Sequence, residues 1–234
     1  MAVTPADSCV AVSELAERSY GAAHNEEVVR WVAPGPLRVL DVGCGTGGNA
    51  DYLMKRGAVV DGVTLSQAEA RCARGCCRDV VVHDVGSGLP HELTGPYDAV
   101  LCSHVLEHLC YPRQLLLDIA RVAPLGILVV AVPNLLYYKS RLRLLCGRFE
   151  YERGGIMDDT HFRWYTLATL SRLLRDCGFA VSRAYGAGGM PLGPLRRLLP
   201  QLSRTADTLA CRAAPGMFGW QLLALARPIA SAAL

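Results

Sequence analysis

The chain has 234 residues, 51% apolar and 19% charged, which allows one large α/β domain or two small ones. A formal net charge of +3 is too small to argue for a nucleic-acid partner, and no apolar run reaches the roughly 18 residues of a membrane-spanning helix. The ten cysteines show neither C-x-x-C pairs nor zinc-type spacing with histidine, so they read as small hydrophobes of a reduced, cytoplasmic protein; the opening residues lack the basic start and apolar centre of a secretory signal.

Residues 1–36 read as a helical lead-in, with an apolar patch at Val28, Val29, Trp31 and Val32 that "APGP" closes. "LRVLDVG" is then a short buried strand. "GGNADYLMKRG" is a helix that opens at the glycines, with Leu53 and Met54 apolar and Gly57 as its C-terminal stop. "AVVDGVTLS" is a second strand, and Ser66 caps the helix "QAEARCARGC". "DVVVHDV" and "YDAVLCS" are strands three and four, "PRQLLLDIARVAP" is a helix, and "GILVVAVPN" is a fifth strand ended by Pro133. This alternation over the first 134 residues predicts a parallel sheet with helices on both faces.

Residues 135–165 break the rhythm with a long, aromatic, partly basic segment, helical from Leu135 to Cys146. "TLATLSRLLRDCG" is a helix capped by Thr166 and stopped at Gly178, and "FAVSRAYG" is a sixth strand. Residues 187–216 are punctuated by glycine and proline around a helix at Leu202 to Cys211, and "FGWQLLALARP" is a seventh strand. The long link between the last two strands suggests an antiparallel edge.

The stretch "VLDVGCGTGG", 39–48, places a glycine loop between the first strand and the first helix. Gly43, Gly45 and Gly48 satisfy G-x-G-x-x-G, but such loops serve NAD, FAD and S-adenosylmethionine alike. Asp41 discriminates better. A carboxylate aimed into the loop repels a pyrophosphate and suits a ligand with an ammonium and a sulfonium. The bland alternative is that Asp41 only fixes the turn. Asp61 has the spacing of a ribose-binding acid, yet the strand runs on to Thr64, and alternation turns Asp61 to the other face.

"VLDVGCGTGG" resembles the first motif of class I S-adenosylmethionine-dependent methyltransferases, and "VVVHDVGSGLP", "YDAVLCSHVLEHLCYP", "APLGILVVAVPN", "LLRDCGFAV" and "FGWQLLALARP" resemble their later elements in order, over residues 20–228. The nearest branch is the small MetW-like group, on "PN", a basic helix and "DDTHFRWYT". The resemblance implies a Rossmann-like, seven-stranded, mostly parallel sheet with a C-terminal antiparallel strand. The methyltransferase domain spans 37–234, with 135–165 and 187–216 as substrate-side insertions. It implies S-adenosylmethionine as cofactor, with Asp41, Gly43, Cys44, Gly45 and Gly47 along its methionine and ribose, and Thr64 and Leu65 beside ribose and adenine. Asp84 and Val85 would meet the adenine, and Ser103 lies in the block that runs under the cofactor. Thr64 departs from the acid usual at that position. "TLS" there is also similar to cyclopropane-fatty-acid-type methyltransferases, which the rest of the chain does not follow.

Methyl transfer needs an aligned nucleophile, exclusion of water and, for a hydroxyl or amine, a base. Histidine suits that last task. "HVLEH" matches a zinc-peptidase spacing, but His104 follows a strand, so the required continuous helix is missing. Ubiquinone O-methyltransferases, which resemble this block and have a divalent-metal variant, carry an acid where His104 stands; no metal is assigned. His104 is expected near the sulfonium, with Glu107 and His108 in support. His161, beside Asp159 and Arg163, is the sharper base candidate; it can equally order its loop. Tyr20 and His24 can close over the cofactor. The run Lys139, Arg141, Arg143 and Arg148 is a solvated face or a weak membrane-surface contact. The expected activity is transfer of a methyl group to an oxygen or nitrogen of a small-molecule acceptor. A non-catalytic cofactor-binding partner subunit and an NAD-dependent oxidoreductase are the alternatives.

Overall fold

The computed structural model describes residues 23–229. Seven strands form one sheet: β1 Arg38–Val42, β2 Val59–Thr64, β3 Asp79–Val82, β4 Ala99–Ser103, β5 Ile127–Pro133, β6 Phe179–Gly188 and β7 Gly219–Pro228. Their order is β3-β2-β1-β4-β5-β7-β6, and β7 runs antiparallel to both of its neighbours. The last two strands thus pair antiparallel at the sheet's edge, as expected, with the C-terminal strand β7 inside and β6 outermost. Burial follows this order: Gln221 to Ala224 are buried in succession, whereas Ser182, Arg183 and Ala184 on β6 are exposed.

Burial on both sides separates the strand residues into two cores. Leu40, Val42, Val100, Leu128 and Val130 pack on one face with Leu115, Leu116 and Ile119 of helix α4, Arg113–Val122, and with Leu170 and Leu174 of helix α6, Leu167–Asp176. Val39, Leu101, Val129 and Ala131 pack on the other face with Val28 and Val29 of α1, Glu26–Val29, and with Ala50 and Leu53 of α2, Gly48–Met54. Met54 is 44% exposed, so only Leu53 anchors the end of α2. Helix α3, Gln67–Ala73, follows β2, and its cap Ser66 accepts the Glu69 amide at 3.4 Å. Helix α6 starts with a reciprocal cap: Thr166 Oγ1 accepts the Thr169 amide, and Thr169 Oγ1 accepts the Thr166 amide.

The segment after β5 forms helix α5, Tyr138–Leu145, shorter than the sequence suggested. Its return is tied to the loop after β4, because the amides of Phe162 and Arg163 donate to the Glu107 carbonyl at 2.9 and 3.1 Å. Between β6 and β7 come α7, Leu195–Leu198, α8, Pro200–Ala213, and α9, Pro215–Phe218.

Candidate active site

Strands β1 and β4 are neighbours, yet the chain leaves β1 for β2 and β3 before returning to β4. The loops after β1 and β4 consequently diverge to opposite sides of the sheet and leave a crevice at the carboxyl ends, where open α/β sheets bind ligands. Gly43, Gly45 and Gly47 have φ of 73°, 54° and 92°, and Gly48 is the first residue of α2. The working pattern is thus G-x-G-x-G, not the G-x-G-x-x-G of the literal match. At Gly43 a Cβ would come within 2.5 Å of Val105 Cγ2, so the loop after β1 lies directly on the loop after β4. At Gly47 it would strike Cys76 Sγ.

Asp41 is wholly buried one residue before the loop's entry, and neither carboxylate oxygen finds a hydrogen-bond donor among the described residues. Burial raises its pKa to about 7, with the nearby Asn49 amide pulling the other way. A buried carboxylate at this place can answer a cation brought by a ligand.

Asp61 is turned away, as alternation predicted. Its carboxylate accepts Tyr97 Oη at 2.8 Å and Arg78 Nε at 2.8 Å, with Arg38 Nη2 at 3.3 Å, on the face opposite Thr64. Thr64, 3% exposed, donates its hydroxyl to Glu69 Oε2 at 2.8 Å. The other oxygen, Glu69 Oε1, lies 3.8 Å from where a Gly45 side chain would begin. The acid that β2 lacks at its end is therefore supplied by α3. Sequence reasoning missed it, although Ser66 and Glu69 stand at the S-x-x-E spacing of a capping box. Here the glutamate leaves the cap and reaches Thr64 instead.

The remaining expected cofactor contacts are spread along the same edge. Leu65 is half-buried after β2 and Cys44 is 6% exposed within the loop. Asp84 is exposed after β3, accepts the Gly86 amide at 2.8 Å and starts a short turn that includes Val85. Ser103 ends β4 and accepts Asn25 Nδ2 at 3.2 Å. His24 stacks on Tyr52 with centroids 4.4 Å apart; Tyr20 lies outside the described residues.

His104 follows Ser103 directly with φ of 58°, alone among the described non-glycine residues in having a positive value. Such a conformation costs about 1–3 kcal/mol and persists where the surroundings impose it. Its amide donates to Ala131 O at 2.8 Å, Nδ1 lies 3.1 Å from Glu107 Oε1, and Nε2 lies 3.2 Å from Gln221 Oε1. The ring lies parallel to Trp220, 5.9 Å away. Burial pushes the imidazole's pKa down, but the hydrogen bond and charge of Glu107, helped by Gln221, outweigh it and hold it above the ordinary value.

His161 lies one layer deeper. It is 8% exposed, its Nδ1 meets Ile156 O at 3.1 Å, and its ring packs edge-on against His108 at 4.8 Å. Burial first, then the neighbouring His108, lower its pKa. Glu107, His108 and His161 each bring a ligand-type atom within 4.8 Å of the others, a grouping that the sequence did not reveal. Each also has a partner in the protein: Glu107 holds His104, His108 meets Thr160 Oγ1 at 2.9 Å, and His161 meets Ile156. The structure thus brings His104, Glu107 and His161 together, with His104 nearest the crevice.

The profile of the methyltransferase domain family matches residues 15–184. The chain belongs to this family. It is 30% identical to the ubiquinone biosynthesis O-methyltransferase of Thiobacillus denitrificans over 73% of this chain and 78% of that protein. Identity is also 30% to the same-named protein of Maricaulis maris, over 67% of this chain and 64% of the relative. Among solved structures, magnesium protoporphyrin IX methyltransferase from Synechocystis, with bound S-adenosylhomocysteine, superposes with a TM-score of 0.58 at 20% identity, covering 86% of this chain and 80% of that one. S-adenosylmethionine is the cofactor of this methyltransferase, and the crevice fits it. Asp41 offers a buried carboxylate, and the backbone at Gly45, where only Glu69 Oε1 comes within 4 Å of an added Cβ, stays open to a ligand.

Proposed function

We propose that the chain methylates an oxygen, or failing that a nitrogen, of a small-molecule acceptor, with His104 as the base. The observation that carries this reading is the His104–Glu107 pair at the end of β4, beside the glycine loop and open to the crevice. When bound, the cofactor supplies a methyl group on a positive sulfur, already activated for displacement. Asp41 would hold its ammonium, Thr64 and Glu69 its ribose hydroxyls, and Asp84 with Val85 its adenine. Glu107 accepts from His104 Nδ1 and fixes the ring, which leaves Nε2 to take a proton. As the acceptor oxygen is methylated, its proton would pass to Nε2. Gln221 Oε1 then accepts from the protonated Nε2. His161 steadies Glu107 and His108 from below and touches no substrate in this reading.

Residues 135–165 and 187–216 form the acceptor side. Nine described cysteines, all free, support a reducing, cytoplasmic setting. Exposed Leu142, Leu145 and Leu198, near Arg141 and Arg197, support a weak contact with a membrane surface. No helix among the described residues is long and apolar enough to cross a membrane.

The test is an acceptor screen read by mass spectrometry. The expected result is a product heavier by one methylene, and a loss of about a hundredfold to ten-thousandfold in turnover for His104→Gln with cofactor binding kept. Undiminished turnover in His104→Gln would remove the base assignment.

A further inference from the structure

Beyond the cofactor crevice, a cavity of about 590 Å³ opens at the same carboxyl edge of the sheet. Its walls come from the start of α5, the segment after β6 and the start of β7. Tyr137, Tyr138 and Trp220 line it, together with Lys139, Arg196 and the backbone at Gly189. The volume falls within the ~300–1,000 Å³ typical of small-molecule sites. Trp220 joins the cavity to the chemistry, because its ring stacks on His104 and its neighbour Gln221 meets His104 Nε2.

Three aromatic rings in one small cavity favour a flat partner. The Tyr137 and Tyr138 rings meet at 63° with centroids 4.6 Å apart, so they form a corner, and Tyr137 Oη is held at 3.4 Å from Gly189 O. The charges are one-sided: two cations and no acid line the cavity. They differ in role. Arg196 is already committed, with Nη1 2.5 Å from Asp207 Oδ2 and Nη2 donating to Met190 O at 3.1 Å. It shapes the wall. Lys139 stands exposed at the mouth, with no carboxylate in salt-bridge range among the described residues.

We infer that this cavity seats the methyl acceptor, and that the acceptor is a planar aromatic compound bearing an anionic group. Its ring lies among Tyr137, Tyr138 and Trp220, its anion meets Lys139, and its hydroxyl or amine faces His104. The inference rests on the methyl-transfer reading for the role of the seat, but binding to the cavity is measurable without turnover.

The experiment is calorimetry on the full chain with S-adenosylhomocysteine present. The probes are salicylate and a hydroxynaphthoate, each compared with its neutral amide. Each acid should bind about tenfold tighter than its amide, the size of one charge-assisted hydrogen bond. Lys139→Ala should bring acid affinity down to that of the amide and leave the amide unchanged, and Lys139→Arg should restore the preference. Tyr138→Ala should weaken acid and amide together. Equal binding of acid and amide, no binding of either acid, or an acid preference that survives Lys139→Ala overturns the proposal. Titration with S-adenosylhomocysteine alone is the separate control: its failure would sink the methyl-transfer reading, whatever the acids do. Thermal melts of each variant confirm that the fold is retained.

Discussion

Glu107 Oε1 lies 3.1 Å from His104 Nδ1, and the glutamate side chain is wholly buried while the imidazole is 32% exposed. In the proposed reaction the buried partner fixes the ring and the half-buried imidazole meets the acceptor. Burial alone would depress the imidazole's pKa; Glu107 reverses the sign. A base works only when neutral, so the acid limb of the kcat–pH profile should lie above the ordinary histidine value of about 6.5. In Glu107→Gln burial is left to dominate, and the limb should move below that value. The kcat should fall by about tenfold or more with the charge-assisted bond gone. The same pair contributes stability that is full below about pH 6.5 and lost as pH rises through the raised value in the folded chain. A limb unmoved by Glu107→Gln would break the link between the two residues.

With Asp41 at the ammonium, as proposed, cofactor binding should depend on pH. Its pKa rises from 3.8 in the unfolded chain to about 7 in the fold, so the folded state holds the proton more tightly. Stability is therefore lost as pH climbs from 3.8 through about 7. A cation prefers the ionised carboxylate, so S-adenosylmethionine should bind more tightly as pH rises toward about 7, releasing a proton as it binds. Calorimetry in buffers of different ionisation enthalpy measures that proton. Asp41→Asn should bind more weakly and show no such release. A proton count of zero in the native chain would remove Asp41 from the ammonium site.

Much of this architecture is legible from local pattern, and the exceptions share a cause. Strands β1, β2, β4 and β5 announce themselves because nearly all their residues are buried, and the edge strand β3 by its run of valines. Thr166 and Ser66 are caps that a short window can reveal. The direction of Asp61 follows from simple alternation along β2. By contrast, the interior position of β7 depends on which strand finds a partner on each side, a long-range outcome that its own residues do not specify. The role of Glu69 depends on a side-chain direction: at the third position of α3 it can return to the cap or reach Thr64, and the spacing is the same for both. His161 stood out because of its charged neighbours Asp159 and Arg163. What places it in a deeper layer is the anchoring of the next two amides on the Glu107 carbonyl, a contact across more than fifty residues of chain. The positive φ of His104 is a backbone angle that no sequence pattern signals.

Glu69 and Asp61 form a contrasting pair of tests. Glu69→Ala should lower S-adenosylmethionine affinity by about tenfold or more, the cost of losing hydrogen bonds to a charged acceptor. Asp61→Asn should leave that affinity within about twofold and instead lower stability by roughly 1–3 kcal/mol, because Tyr97, Arg38 and Arg78 lose their shared carboxylate. The half-exposed Arg78 keeps that loss from being larger, since water can reach its guanidinium. Calorimetry and denaturant melts on both variants separate the roles. If Asp61→Asn proved the weaker cofactor binder, the ribose would have to be reassigned to the opposite face of β2.

Gly43 carries two separable constraints, and a pair of substitutions resolves them. Its φ of 73° costs a residue with a Cβ about 1–2 kcal/mol, and that Cβ would meet Val105 Cγ2 at 2.5 Å. Gly43→Ala should therefore destabilise the fold by roughly 2–4 kcal/mol, strain and overpacking together, and should abolish cofactor binding by lifting the loop off β4. Trimming the partner removes only one of the two penalties. In a double-mutant cycle, Val105→Ala should offset the steric part and leave the backbone part, giving a favourable coupling smaller than the full loss. Stability from denaturant melts supplies the cycle. Additive effects would mean that the loops after β1 and β4 do not touch at this point, and the closed floor of the crevice would have to be redrawn.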